Sequence, residues 1–276
     1  MAVRLLVRAR EDFQAQRKRM DNRIGRKADG EDQNVPERMI RQSDLGDFIA
    51  IADTAKEQEV LIEKRLKHVL KRFPIYNEWL ADVKGVGTIA AATIIAEFDI
   101  AIATTVSKMW QYAGLNPSTV MGKKRVKTDS PKTYEPKRGE VIKRGEDFVL
   151  VQTDEPIRGD KLTEGFVSPF NTRLRTALCG VLADGFIKCQ APYALEHYYP
   201  YKERLAHSDK MTTEVQKGGK AIQVAWKDAK PAHRDRAAKR FMIKRFLADL
   251  YVAWRTIEGL EVRPPYQEQY LGHVHQ

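Results

Sequence analysis

The sequence predicts a mainly α-helical protein: a helical, coiled-coil-like arm over residues 1–73, then a helical domain over residues 74–276. Three observations predict it. An apolar seam at helical spacing runs from Leu45 to Phe73. A glycine turn, Gly85-Val86-Gly87, opens directly into a run of small helix formers. Between 118 and 166 the helical periodicity gives way to Lys, Pro, Gly and Thr, as expected of a basic insertion.

Taken in order, Val3 to Lys27 reads as an arginine-rich helix, broken by the polar stretch Ala28 to Pro36. A second helix runs from about Asp44 to Phe73. Its positions Leu45, Phe48, Ala52, Ala55, Glu59, Ile62, Leu66, Val69 and Phe73 alternate spacings of three and four, with Glu59 the one charged interruption. Such a seam packs either on the first helix or on another copy of the chain. Pro74 ends it, and a short helix around Asn77 to Ala81 leads to the glycine turn. Thr88 to Phe98 and Lys108 to Ala113 are helical, the latter closed by Gly114. Within the basic insertion, Asp147 to Gln152 alternates as a strand, with Glu140-Val141-Ile142 as its hairpin partner across Lys143 to Glu146. Helices resume over Asn171 to Cys189 and Tyr193 to Leu205. A polar connector from Lys210 to Lys230 precedes the last helix, His233 to Glu258, and the tail is extended.

Composition narrows the function. The net charge of +11 over 276 residues favours a polyanionic partner. A membrane is the weaker choice, because no segment approaches the roughly 18 consecutive apolar residues of a spanning helix. Met1 to Arg8 is too short and too charged for a signal peptide. The only cysteines, Cys179 and Cys189, form no ligand cluster and fit a reducing, cytoplasmic compartment. His197, His207, His233, His273 and His275 share no metal-ligand spacing, so neither a metal nor a cofactor is expected.

The glycine turn carries the clearest binding signal. Gly85 and Gly87 allow a tight turn and a close approach to another surface. The helix beginning at Thr88 presents unpaired N–H groups and a positive dipole end to a phosphate. Lys84 and the Thr88 hydroxyl add a charge and a donor, with Val86 between the glycines as the apolar anchor. The pattern reads as a helix-hairpin-helix, which grips a nucleic-acid backbone without reading bases. Lys123, Lys124, Arg125 and Lys127 supply a second phosphate-binding run, expected on a flexible loop. Lys239-Arg240 and Lys244-Arg245, expected opposite Phe241 and Leu247, read either as a basic stripe against nucleic acid or as plain surface.

Several segments occur in a specific order: Asp12-Phe13 to Asn22-Arg23-Ile24, the hairpin Val83 to Thr93, Tyr112-Ala113-Gly114-Leu115-Asn116-Pro117, and Asn171-Thr172-Arg173-Leu174-Arg175. Together they resemble the C-terminal part of the insertion sequence 110 transposases (the 116/110/902 group), as far as about Cys189. The resemblance implies a DNA recombinase guided by structured RNA, with a RuvC-like domain of acidic metal ligands, a coiled coil and a helix-hairpin-helix domain bearing a nucleophilic serine. It also adds Arg173 and Arg175 to the nucleic-acid-binding residues. The chain departs from the pattern twice. It starts at the arginine-rich helix, so the RuvC-like domain is expected to be missing, the alternative being its supply by a separate polypeptide. Where the serine precedes glycine, this chain has Met121-Gly122, and a thioether cannot attack a phosphodiester. Ser118 is the nearest hydroxyl, and reads more simply as a turn serine after Pro117.

The expected function is therefore binding of DNA, or of structured RNA, in transposition or recombination or derived from it. The alternatives are an active transposase subunit with its acidic domain in trans, and a structural or regulatory nucleic-acid binder. Self-association is expected through the helix over 45–73.

Overall fold

The computed structural model describes residues 2–25, 43–127, 142–144, 148–215 and 221–264, and these are mainly helical with two small antiparallel sheets. The chain forms two compact units, Met1–Glu97 and Phe98–Gln276. The division falls after Glu97, where the sequence reading divides the chain after 73, so the helix following the glycine turn belongs with the N-terminal helices.

In the first unit, α1 (Ala2–Ile24) lies antiparallel to α2 (Leu45–Leu70): Arg10 reaches Glu63 while Arg17, further along, reaches back to Glu59. Gly25, at φ 75°, ends α1 in the left-handed conformation that favours glycine. The polar break from Ala28 to Pro36 lies outside the described residues. Ala52, Ala55, Glu59, Leu66 and Val69 are buried on α2, so the seam is covered from within the chain by α1. The short helix before the turn is a π-helix, Tyr76–Leu80. After the turn, α3 (Thr88–Glu97) packs on both α1 and α2. Its Ala91, Ala92, Ile94 and Ile95 are buried on nearly all sides, which its small residues permit.

In the second unit, α4 (Val106–Tyr112) starts at the cap Thr105 and ends before Gly114, at φ 69°. A three-stranded sheet of order β1-β3-β2 follows, from β1 (Thr119–Lys127), β2 (Ile142–Arg144) and β3 (Phe148–Arg158). This corrects the loop expected at Lys123 to Lys127. Those residues are strand β1, paired antiparallel with β3 from Lys123↔Gln152 to Lys127↔Phe148. Cations at alternate positions mask the apolar alternation, and pairing with a distant strand supplies the order. The strand expected over Asp147 to Gln152 continues to Arg158. Glu140 and Val141 of its expected partner lie outside the described residues, while Ile142–Arg144 pairs with β3.

The helix expected from Asn171 to Cys189 is α5 (Thr172–Thr176), a π-helical segment Ala177–Leu182, and α6 (Ala183–Lys188). A third π-helical turn, Ala194–Tyr198, runs into α7 (Tyr199–Ala206). The polar connector is corrected as well. It contains a two-stranded ribbon, β4 (Met211–Val215) with β5 (Ala221–Ala225), built on Thr, Val and Ile at alternating positions. The last helix, α8 (Pro231–Ile257), provides the spine of the core through Met242, Phe246, Leu247, Leu250 and Tyr251. Phe186 meets Phe246 edge-on at 5.4 Å, and Tyr193 does so at 5.5 Å.

Candidate functional site

At the glycine turn, the Val86 N–H donates to the Val83 carbonyl at 3.0 Å, and Gly85 takes φ 97°. Gly87 has an ordinary φ, and a Cβ there would meet nothing within 4 Å. The glycine requirement expected of Gly87 therefore falls on Gly85. Gly87 acts instead as the N-cap of α3, its carbonyl accepting the Ala91 N–H at 3.0 Å. The N–H groups of Thr88, Ile89 and Ala90 precede the first intrahelical donor. Lys84 is exposed beside them, and Val86 and Thr88 are half-buried.

In the second unit, β1 sorts its cations by strand alternation. Lys123, Arg125 and Lys127 are exposed on one side, with Arg125 over the Phe148 ring at 4.2 Å. Lys124 points the other way, pairs with Glu155 at 2.6 Å and lies over Phe166 at 4.6 Å. The four basic residues of this run therefore do not act alike. At Gly122 the β1–β3 register shifts, and a Cβ there would strike the Phe166 ring at 2.4 Å. Met121, just before it, is half exposed and lines a cavity of about 400 Å³ with Gln111, Lys123, Gln152 and Ser168.

Ser118 is an exposed turn residue. Its N–H donates to Asn116 Oδ1 at 3.3 Å and its carbonyl accepts the Gly159 N–H at 2.8 Å. Among the described residues no base contacts its hydroxyl. The Cys179 thiol is no better a nucleophile, since burial pushes it up to about 11.

Asn171 joins two segments far apart in sequence. Its N–H donates to the Tyr112 carbonyl at 2.9 Å, its Nδ2 to the Tyr112 hydroxyl at 3.1 Å, and its Oδ1 caps α5 through the Leu174 N–H at 3.0 Å. The following helix holds Arg173 exposed and Arg175 half-buried. Arg175 Nη1 donates to the Asp160 carbonyl at 2.6 Å, with its guanidinium over Phe170 at 4.9 Å.

The stripe expected on α8 is rearranged. Lys239 is engaged by Asp184 at 2.7 Å and Asp235 at 3.0 Å. Arg240 and Lys244 lie half-buried on the same side as Leu247, not opposite it, because residues four and seven apart share a helix face. Lys244 stands over the Trp110 ring at 4.4 Å, and burial holds it below the ordinary lysine range. Arg236, one turn before Arg240, extends this row, and its spacing from Arg240 and Lys244 is the sequence signal of the shared face.

No family model, curated protein or solved structure matches this chain. Its chemistry rests on its own residues. Among the described residues no group of His, Cys, Asp and Glu is placed to hold a metal ion, and no helix is long and apolar enough to cross a membrane. What is present is cationic: a row on β1, the Arg240 face of α8 with Arg175, and in the first unit Lys84 beside the α3 N-terminus.

Proposed function

We propose that this protein binds nucleic acid, DNA foremost, through its phosphate backbone, and that it serves transposition or recombination or descends from a protein that does. The observation that carries the reading is the row Lys123, Arg125 and Lys127 on the exposed side of β1. Successive members are two residues apart, about 6.6 Å along a strand. That spacing suits neighbouring phosphates on one nucleic-acid strand, and the chain's +11 net charge adds long-range attraction. The Tyr76–Leu80 helix, the Gly85 turn and α3 form a helix-hairpin-helix in this reading, with the α3 N–H groups as a further phosphate contact. Phosphate contacts position a protein without reading sequence, so little base preference is expected.

The test is a titration against duplex DNA, branched DNA and structured RNA over several salt concentrations. The affinity should fall steeply with salt, and replacing Lys123, Arg125 and Lys127 together by Gln should reduce the log–log slope by about 2.7. A flat salt dependence in the wild type would refute the proposal. The exposed turn setting of Ser118 favours a binder over a recombinase subunit completed in trans.

A further inference from the structure

Arg158 and Arg175 both bind Asp160, and Arg240 lies within electrostatic reach of it. Arg158 holds that carboxylate with two prongs, Nε to Oδ1 and Nη2 to Oδ2, each at 2.9 Å. Arg175 reaches the same residue, but through its backbone carbonyl, at 2.6 Å. Arg240 lies within electrostatic reach of Arg175, Asp160 and Arg236, and its guanidinium has no hydrogen bond or ion pair with any described residue.

Several other arginines of the molecule are partnered. In the first unit Arg8 meets Glu97, Arg10 meets Glu63 and Arg17 meets Glu59. The buried Arg255 donates to the carbonyls of Ile100 at 2.8 Å and Ala103 at 3.2 Å. Arg240 is half-buried without such a partner. A guanidinium does not shed its proton in a protein, so it cannot escape the cost of desolvation by becoming neutral. Burial, and then the neighbouring Arg175 charge, both act against its charged form. Cys179 offers no compensating thiolate, and the carboxylate of Asp160 is already held by Arg158.

We infer that Arg175, on α5, and Arg236 and Arg240, one turn apart on α8, form an oxyanion site for a phosphate group. Arg240 supplies the planar fork that matches two phosphate oxygens, Arg175 is steadied by Asp160 and Phe170, and Arg236 adds an exposed charge one turn before Arg240. The site deepens the nucleic-acid reading and rests on it only for the source of the phosphate, which is either a nucleic-acid backbone or a free phosphate ion.

Two titrations of the full chain, checked for folding by circular dichroism, test it. Calorimetry with inorganic phosphate at low ionic strength is one arm, and duplex oligonucleotide binding is the other. With backbone phosphate as ligand, Arg240→Gln weakens duplex binding about tenfold and takes about 0.9 from the salt slope. With free phosphate as ligand, Arg240→Gln weakens inorganic phosphate at least tenfold and leaves the duplex unchanged. Arg236→Gln, on an exposed side chain, reports in the same direction should Arg240→Gln fail to fold. If Arg240→Gln and Arg236→Gln change neither titration, the site is refuted. In that event, loss of duplex binding on replacing Lys123, Arg125 and Lys127 would leave the β1 reading standing.

Discussion

Arg17 donates its Nε to Glu59 Oε1 at 2.6 Å, across the α1–α2 pair. Glu59, the one charged residue in the α2 seam, is 1% exposed, and Arg10 stands 3.7 Å away on its other side. The apparent flaw in the seam is thus the point where α1 is registered against α2. Removing the carboxylate leaves two guanidinium groups beside an apolar seam. Glu59→Ala is expected to cost about 3 kcal/mol in a urea melt. A loss below about 0.5 kcal/mol would mean that the pair contributes nothing to register.

Leu66 is fully buried in the same seam. Leu66→Asp should therefore destroy helix content in the first unit, not merely separate copies of the chain. Self-association through α2 would use its outer side, where Leu61 is 59% exposed. Leu61→Asp should lower the sedimentation coefficient with circular dichroism unchanged; an unchanged coefficient removes this surface from any oligomer.

The two glycines of the turn should respond oppositely to serine. Gly85→Ser forces a side chain into φ 97° and should cost about 1–2 kcal/mol. Gly87→Ser meets open space at an N-cap that serine favours, and should be neutral or slightly stabilising. Thermal melts of both variants decide it, and equal losses would contradict the assigned conformations. Gly114→Ala should be the most damaging of the three, because it combines φ 69° with a Phe170 ring carbon 2.5 Å from the new methyl group.

Acid should weaken the second unit through two histidines. Burial first, then Arg245, holds His197 below its usual value, and burial and then Arg240 do so for His233. His233 is stacked on Trp226 at 4.9 Å, with Nε2 3.1 Å from the Thr212 hydroxyl. The unfolded chain takes up these protons near pH 6.5 and the native state resists them, so stability falls as pH drops below about 6.5. Urea midpoints at pH 8 and pH 5.5 should differ less in the His197→Gln, His233→Gln double variant than in the wild type. Equal pH dependence would show that neither imidazole contributes.

Lys124 and Ser118 serve as contrasts to the proposed contacts. Lys124→Gln should hardly change duplex affinity, since Glu155 already engages its ammonium. Ser118→Ala should leave binding unchanged, and the wild type should form no covalent adduct with DNA on denaturing gels. An adduct lost on Ser118→Ala would install the recombinase alternative.

What the sequence determined by itself was local. Helical periodicity marked the courses of α2, α4 and α8, because spacings of three and four are properties of one segment and need no partner. Gly114 was legible for the same reason, as was the surplus of positive charge. The tertiary structure alone decided what pairing across distance decides. It made Lys123 to Lys127 a strand, because β3 lies beside it. It showed Gly85, not Gly87, to be the strained glycine of the turn. It engaged Lys124 and Lys239 with carboxylates and left Arg240 without one, a distinction hidden in a sequence where all are simply basic. Charge count is additive along a chain, whereas the neutralisation of each charge depends on which distant carboxylate the fold brings within reach.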